Sequence, residues 1–227
     1  MRRSQIELSM LTRFAMIFFI VSLAALMLGL SNREKAQLCS TQASSMASSI
    51  ASQITQVITS PVEDEKKIFP LSGSLAVGKD EYSRYQIIIT NKPPARENAS
   101  GYLLIEVRPA SGGLECRTTV PVYYDEKQFE TSQGDPIRLV SASADRVNET
   151  ELGRALTLEP SIRGRERSWF LNMIKCRPKL VGLKTLLWIE DCNYEDPARC
   201  MNFSSLDNCC GWAWMTPEGG GSPDCTG

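Results

Sequence analysis

Two uncharged segments follow each other near the start of the chain and limit the folds open to it. Residues 14–32 (FAMIFFIVSLAALMLGLSN) carry no charge and are strongly apolar as far as Leu30, and residues 36–62 carry no charge either. As a helix, the first segment is about 28 Å long, close to the ~30 Å hydrocarbon core of a bilayer. We therefore expect one membrane-spanning helix over residues 14–32.

The charges on either side of this segment predict its orientation. Three arginines precede it with only Glu7 to offset them, whereas the flank that follows has a single net positive charge. This bias favours a single-pass cell-membrane protein with residues 33–227 outside the cell. Three interpretations of the segment remain open: a retained signal anchor, a secretory signal peptide removed after Ser31, and a prepilin-type leader cut before the apolar stretch.

The helical pattern continues beyond the membrane segment. Apolar or small side chains recur three or four positions apart on one face: Ala36, Cys39, Ala43, Ala47, Ile50, Ile54 and Val57. The opposite face consists of Ser, Thr and Gln, and small residues four apart let helices approach closely. A helix lying on its own domain and a Ser-rich linker are the alternatives, although a linker would not keep this spacing. With Pro61 as its stop, we predict one helix over residues 5–60, with a packing half over 33–60.

The first ten residues read MRRSQIELSM. A short basic stretch, a small residue, Gln and an acid just before an apolar helix resemble the class III signal peptide of archaeal type IV pilin-like proteins. The resemblance covers about the first 60 residues. It implies a leader over residues 1–4, cleavage between Ser4 and Gln5 by a prepilin-type peptidase, and retention of the helix. It also implies that many copies, or several kinds of pilin-like subunit, assemble into a surface filament through bundled helices.

Glu7 would be the third residue of the processed chain. A carboxylate inside an apolar bundle is costly unless it is paired, and cleavage would create a cationic amine two residues away. Glu7 is therefore the candidate assembly residue. The alternative is a solvated glutamate at the cytoplasmic interface.

The remainder of the chain predicts a β-rich head over residues 61–190. Strand-like runs at 85–90, 102–108, 116–123, 137–142 and 183–190 are separated by Pro-, Gly- and Asn-containing turns. Antiparallel hairpins are the simplest arrangement, with one further helix near residues 165–177 and a solvated charged turn at 63–67. The predicted fold class is α+β: a long N-terminal helix, an antiparallel β-rich head, and a disulfide-rich tail over residues 191–227.

Eight cysteines require either metal or disulfide chemistry. They are Cys39, Cys116, Cys176, Cys192, Cys200, Cys209, Cys210 and Cys225. Their spacing lacks the close pairs typical of zinc sites and no histidine can complete a site, so disulfides are favoured and no metal or other cofactor is expected. Five of them fall in the last 36 residues, as in a small loop-rich knot. Cys39 could tie the helix to the head, link subunits or stay free.

Two further motifs concern the outer surface. Asn98, Asn148 and Asn202 begin N-x-S/T sequons, which are candidate glycosylation sites outside the cell. Trp212 and Trp214 form an aromatic pair in the tail. An indole pair either covers disulfides as a small core, which we favour, or presents an exposed stacking patch for a ligand such as a sugar.

The composition argues against catalysis and nucleic-acid binding. The chain has no histidine, which removes Ser-His-Asp and Cys-His catalysis, and it has no Gly-rich phosphate loop. Glu190, Asp191, Glu195 and Asp196 could form a carboxylate pair or a calcium site, but a solvated turn is favoured. With 20 basic and 24 acidic residues, the part from 61 to 227 has net charge −4, which does not attract nucleic acid. We expect a pilin-like structural or minor subunit of a cell-surface type IV filament, or alternatively an anchored surface protein with a ligand-binding, adhesin-like head, and no enzyme.

Overall fold

The computed structural model describes residues 2–62, 65–77, 80–82, 85–93, 100–109, 116–125, 129, 136–141, 146–160, 167–176 and 185–193; of 2–9, 32, 76–77, 80–82 and 176 it describes the backbone alone. This part contains one helix, α1 (Arg2–Thr59), and eleven strands. The strands are β1 (Glu65–Pro70), β2 (Leu75–Val77), β3 (Asp80–Tyr82), β4 (Tyr85–Lys92), β5 (Ser100–Pro109), β6 (Thr118–Asp125), β7 (Ile137–Ser141), β8 (Val147–Thr150), β9 (Gly153–Leu158), β10 (Phe170–Cys176) and β11 (Leu186–Cys192).

Both uncharged segments belong to the single helix α1. It has 58 residues and ends at Thr59, two positions before Pro61, because proline cannot donate the next backbone hydrogen bond. The Ser60 hydroxyl accepts a hydrogen bond from the Val62 amide at 3.2 Å just after the helix end. The prediction of one long helix is confirmed, and the linker interpretation is wrong.

The second half of α1 packs on its own head. Six of the seven side chains on the predicted face are fully buried there, and Ala36 is half-buried. This face contacts β1, β2, β5, β6 and β10 and shares one hydrophobic core with both large sheets. The interpretation of an amphipathic helix lying on its own domain is therefore correct for this face.

A five-stranded antiparallel sheet, ordered β6-β5-β4-β9-β8, forms one wall of the core. Its strands alternate buried and partly exposed residues, as expected for a sheet with one face in the core and the other toward solvent. All five predicted strands are present. They begin at residues 85, 102, 116, 137 and 183 in the prediction and correspond to β4, β5, β6, β7 and β11. A small hairpin, β2-β3, is paired with neither large sheet, but its Leu75 is buried in the common core.

A four-stranded sheet, ordered β1-β10-β11-β7, forms the other wall. Its inner face, formed by Leu171, Met173, Leu187 and Ile189, joins the common core with α1. Its outer face carries a separate cluster in which Ile174 and Trp188 are buried against Val140 and Leu186. The β11–β7 pair is parallel, so the expectation of hairpins alone does not hold in this sheet.

Two local predictions are wrong. Of the helix expected over residues 165–177, the described residues 167–176 are instead three irregular positions followed by strand β10, which lies between β1 and β11 and is buried on both faces. A strand of this kind has apolar residues on both sides, so its pattern can imitate one helical face. In the expected charged turn, Glu65, Lys66 and Lys67 are half-buried in strand β1, while residues 63–64 lie outside the described part.

Asn91 joins the two large sheets at one end. Its side-chain nitrogen Nδ2 donates a hydrogen bond to the Ile137 backbone carbonyl at 3.3 Å. Its side-chain oxygen Oδ1 accepts a hydrogen bond from the Tyr124 hydroxyl at 2.9 Å. Gly153 packs on the Asn91 backbone with φ of +130°, and a Cβ there would lie 2.1 Å from the Asn91 carbonyl oxygen. Only glycine fits both the backbone conformation and the space.

Candidate functional site

The first half of α1 exposes a continuous apolar surface. Every side chain from residue 10 to residue 31 is exposed except Ser22, which is half-exposed. The largest of them include Phe14, Phe18, Phe19, Ile20 and Leu28. An exposed apolar area of this size is typical of surfaces that contact a membrane or another protein.

By length and composition, the helix region Met10–Thr59 is long and apolar enough to cross a membrane, and it is the one such region in the described residues. Its most apolar window has none of its residues buried in the head, so it is not a core helix. A removable signal sequence near the N-terminus satisfies the same criterion. Ser4, Gln5 and Glu7 lie in the first turns of α1, where the backbone alone is described.

From residue 36 to residue 59, the exposed side of α1 is uncharged. Its exposed residues include Ser45, Ser48, Ser49, Ser52 and Thr55. The threonine hydroxyls on this side are satisfied within the helix: Thr41 donates to the Gln37 carbonyl at 2.9 Å and Thr55 to the Ala51 carbonyl at 2.8 Å. A hydroxyl that bonds its own backbone needs less water, so this surface is cheaper to desolvate than a charged one.

A disulfide ties the N-terminal part of the packing half to the head. Cys39 bonds to Cys116, just before β6, across a sequence separation of 77 and with 5.6 Å between the Cα atoms. Of the three alternatives for Cys39, the tie between helix and head is the one observed. Both residues are almost completely buried.

A lysine fixes the other end of the packing half. From strand β10, Lys175 donates through Nζ to the carbonyls of Ile58 at 2.9 Å and Ser60 at 2.7 Å. Helix C-termini leave carbonyls without helical partners and carry a partial negative charge, so a cation placed there stabilises the helix end. Burial lowers the pKa of Lys175, and nearby Glu65 opposes this. The sequence offered no signal for this contact, because the two residues are 117 positions apart.

A buried ion pair joins the sheets at the end opposite Asn91. Arg146 Nη1 lies 2.5 Å from Asp191 Oδ2, 2.8 Å from Ser168 Oγ and 2.9 Å from Asn193 Oδ1. The Asp191 side chain is fully buried and that of Arg146 nearly so. Burial raises the pKa of Asp191, and the Arg146 guanidinium opposes that shift. The four groups hold together the start of β8, the residues just before β10 and the end of β11.

The prediction that the acids near residue 190 form a solvated turn is wrong for two of them. Glu190 and Asp191 lie in strand β11 and are almost fully buried on opposite faces of the sheet. Glu195 and Asp196 lie outside the described residues. Within the described ranges, no group of three potential metal-ligating side chains occurs. Asp191 forms the buried ion pair with Arg146, whereas Glu190 forms a hydrogen bond with the Asn172 side chain.

Glu190 predicts a pH-dependent stability. Burial raises its pKa to about 7 from an ordinary value of 4.5; Asp191 adds to the shift, while Asn172 and Lys66 oppose it. The folded state therefore holds a proton that the unfolded state releases between about pH 4.5 and pH 7. We expect the free energy of unfolding to fall as the pH rises through this window, by about 3 kcal/mol, and Glu190→Gln to remove most of that fall. Urea unfolding of the full chain in detergent between pH 4 and pH 8 measures both.

Glu149→Gln is the matched control, because Glu149 is an exposed strand residue. It should leave the pH profile as in the unmodified chain. A Glu190→Gln profile that keeps the full slope would show that Glu190 does not carry this proton.

The other predicted site residues are described only in part. Cys192 is disulfide-bonded, and Cys176 ends strand β10. Asn148 is exposed on β8, the edge strand of the five-stranded sheet, where a glycan has room. The remaining members lie outside the described residues: Cys200, Cys209, Cys210, Cys225, Asn98, Asn202, Trp212 and Trp214.

Sequence reasoning missed an aromatic group on the solvent face of the five-stranded sheet. The rings of Tyr102 and Tyr123, on neighbouring strands, have centroids 6.1 Å apart, and Lys92 lies 5.6 Å from the Tyr102 centroid. Tyr123 is 69% exposed, which is unusual for so large a ring. The alternation of β6 could have placed Tyr123 on the face opposite the core.

Comparisons with protein families, curated proteins and solved structures find no match to this chain.

Proposed function

We propose that this chain is a pilin-like structural or minor subunit of a cell-surface type IV filament, assembled through α1 with its head outside the cell. The observation that carries the proposal is the construction of α1: an exposed apolar half runs without interruption into a half fastened to the head. Fastening at Cys39 and at the Lys175 contact lets the apolar half hold the head in one orientation. The uncharged outer side of α1 over residues 36–59 supports contacts with neighbouring helices. A prepilin-type peptidase and other pilin-like subunits are the partners that follow.

The proposal is tested by the N-terminus of the mature protein, isolated from cell membranes and from material sheared off the cell surface. We expect it to begin at Gln5. A mature protein that begins at Asn32 would have lost the apolar half and would contradict the proposal. A mature protein that keeps residues 1–4 would favour a plain membrane anchor.

Replacing Glu7 by alanine should impair filament formation without preventing membrane insertion. A carboxylate paired with an amine inside an apolar bundle is worth at least about 1.4 kcal/mol, so we expect filaments to fall at least about tenfold. Filaments are counted by electron microscopy and membrane insertion by fractionation. Glu34→Ala, which changes an exposed acid at the other end of the apolar half, is the control. Equal filament numbers in both variants would show that Glu7 has no pairing role.

An anchored surface protein with a ligand-binding head is the second candidate. The Tyr102–Tyr123 pair favours it, because the exposed Tyr123 ring, beside the half-buried Tyr102 ring and a lysine, suits stacking with a ligand. Under this hypothesis the protein forms no filaments, and Tyr123→Ser abolishes surface attachment of cells. Filaments that contain this chain, together with normal attachment of cells that carry Tyr123→Ser, would instead point to the subunit role.

A further inference from the structure

The strand register limits the partner of the Cys192 disulfide. Cys39 and Cys116 bond to each other, so Cys192 pairs with Cys176 or with one of the four cysteines that follow it. In the β10–β11 pair, Phe170 lies opposite Cys192 and Cys176 lies opposite Leu186. Cys176 and Cys192 are thus six positions apart along the strands, about 20 Å, whereas a disulfide requires Cα atoms within about 7 Å. Cys176 is excluded as the partner within one chain.

Cys192 is on the outer face of the four-stranded sheet. Side chains alternate along a strand, so Cys192 shares its face with Trp188 and Glu190, and α1 packs on the inner face. Trp188 is only 7% exposed and Ile174 only 6%. Their apolar neighbours among the described residues, Val140 and Leu186, belong to the same sheet. Residues of one sheet do not cover their own face, so this burial requires a second layer.

Asn193 fixes the point at which the chain leaves the sheet. Its side-chain oxygen Oδ1 accepts a hydrogen bond from Arg146 Nη1 at 2.9 Å, next to the buried Arg146–Asp191 ion pair. Residues 194–227, 34 in number, begin there. Four strands span about 14 Å across a sheet, which a segment of this length crosses easily.

We propose that the tail, residues 194–227, folds back across the outer face of the four-stranded sheet, tied by a disulfide between Cys192 and one of Cys200, Cys209, Cys210 and Cys225. The tail covers Trp188 and Ile174 and forms the surface of the head opposite α1. In a filament whose helices lie inside, this surface faces outward. The tie itself does not depend on the filament, so the two proposals fail separately.

Peptide mapping of the full-length protein without reduction tests the tie. We expect Cys192 in a cross-linked peptide with one of the four tail cysteines. A link from Cys192 to Cys176, or to a second copy of the chain, overturns the proposal.

Hydroxyl-radical footprinting resolved to single residues tests the cover. Trp188 should be protected in the unmodified chain and should oxidise several-fold faster in Cys192→Ala, in which the tail is no longer tied. The matched control removes the other disulfide (Cys39→Ala with Cys116→Ala) and should leave Trp188 protected. Unchanged protection of Trp188 in Cys192→Ala would assign the cover to another segment, such as residues 161–166 or 177–184. If core residues Tyr85 and Tyr124 also oxidise faster, the variant is unfolded and the peptide map decides.

Discussion

Removing the Cys39–Cys116 disulfide by replacing both residues with alanine should lower the free energy of unfolding by about 4 kcal/mol. The bond joins residues 77 positions apart, and closing a loop of that length removes a large part of the conformational entropy of the unfolded chain. Chemical denaturation of the full chain in detergent, under oxidising conditions, measures the loss. Helical content by circular dichroism should not change, because the other buried side chains of α1 remain in place.

The single variants separate the cross-link from local packing. Cys39→Ala and Cys116→Ala each break the same bond, so each should lose nearly as much stability as the double variant. Losses that add up from the two single variants would instead indicate packing at each site. A loss below about 1 kcal/mol in the double variant would show that the bond adds little to folding.

Arg146→Met should lower the free energy of unfolding by about 3–5 kcal/mol, because it leaves the fully buried Asp191 carboxylate without its cation. The same change also removes the contacts of Arg146 with Ser168 and Asn193. The loss should be smaller at low pH, where Asp191 takes up a proton and no longer needs a partner. Combining Arg146→Met with Asp191→Asn should recover part of the stability.

Arg117→Met is the matched control for this prediction. Arg117 pairs with Glu106 at 2.8 Å, but its side chain is 68% exposed, so the pair should contribute less than about 1 kcal/mol. Similar losses in Arg146→Met and Arg117→Met would show that burial does not make the Arg146 pair important.

The parts of the fold that were predictable are those with a local repeating pattern. The buried face of α1 and strands such as β4 and β5 follow from spacings of three to four or of two residues. Strand β10 was not predictable in this way, because its type is set by pairing with β11 on one side and with β1, far from it in sequence, on the other. The parallel pairing of β7 with β11 is likewise a long-range property.

In the candidate site, too, the features that depend on local sequence were predictable and those that depend on long-range contacts were not. The exposed apolar half of α1 is visible in composition alone, since it depends on neighbouring residues. The other features depend on residues that are distant in sequence. The Lys175 contact spans 117 positions, the Cys39–Cys116 bond spans 77, and the Arg146–Asp191 pair spans 45. For isolated charges such as Glu190 and Asp191, solvation is the usual state, and only the register of β11 shows that they are buried.

The two attachments of α1 also determine how the head responds to a pull. A force applied between the exposed half of the helix and the head runs along the helix axis and reaches Cys39 first and the Lys175 contact about 30 Å later. The apolar contacts between them are loaded in shear, so they must yield together and cannot be peeled apart one after another. Because the covalent bond stands at the loaded end, tension passes into β6 before it reaches any of the weaker contacts.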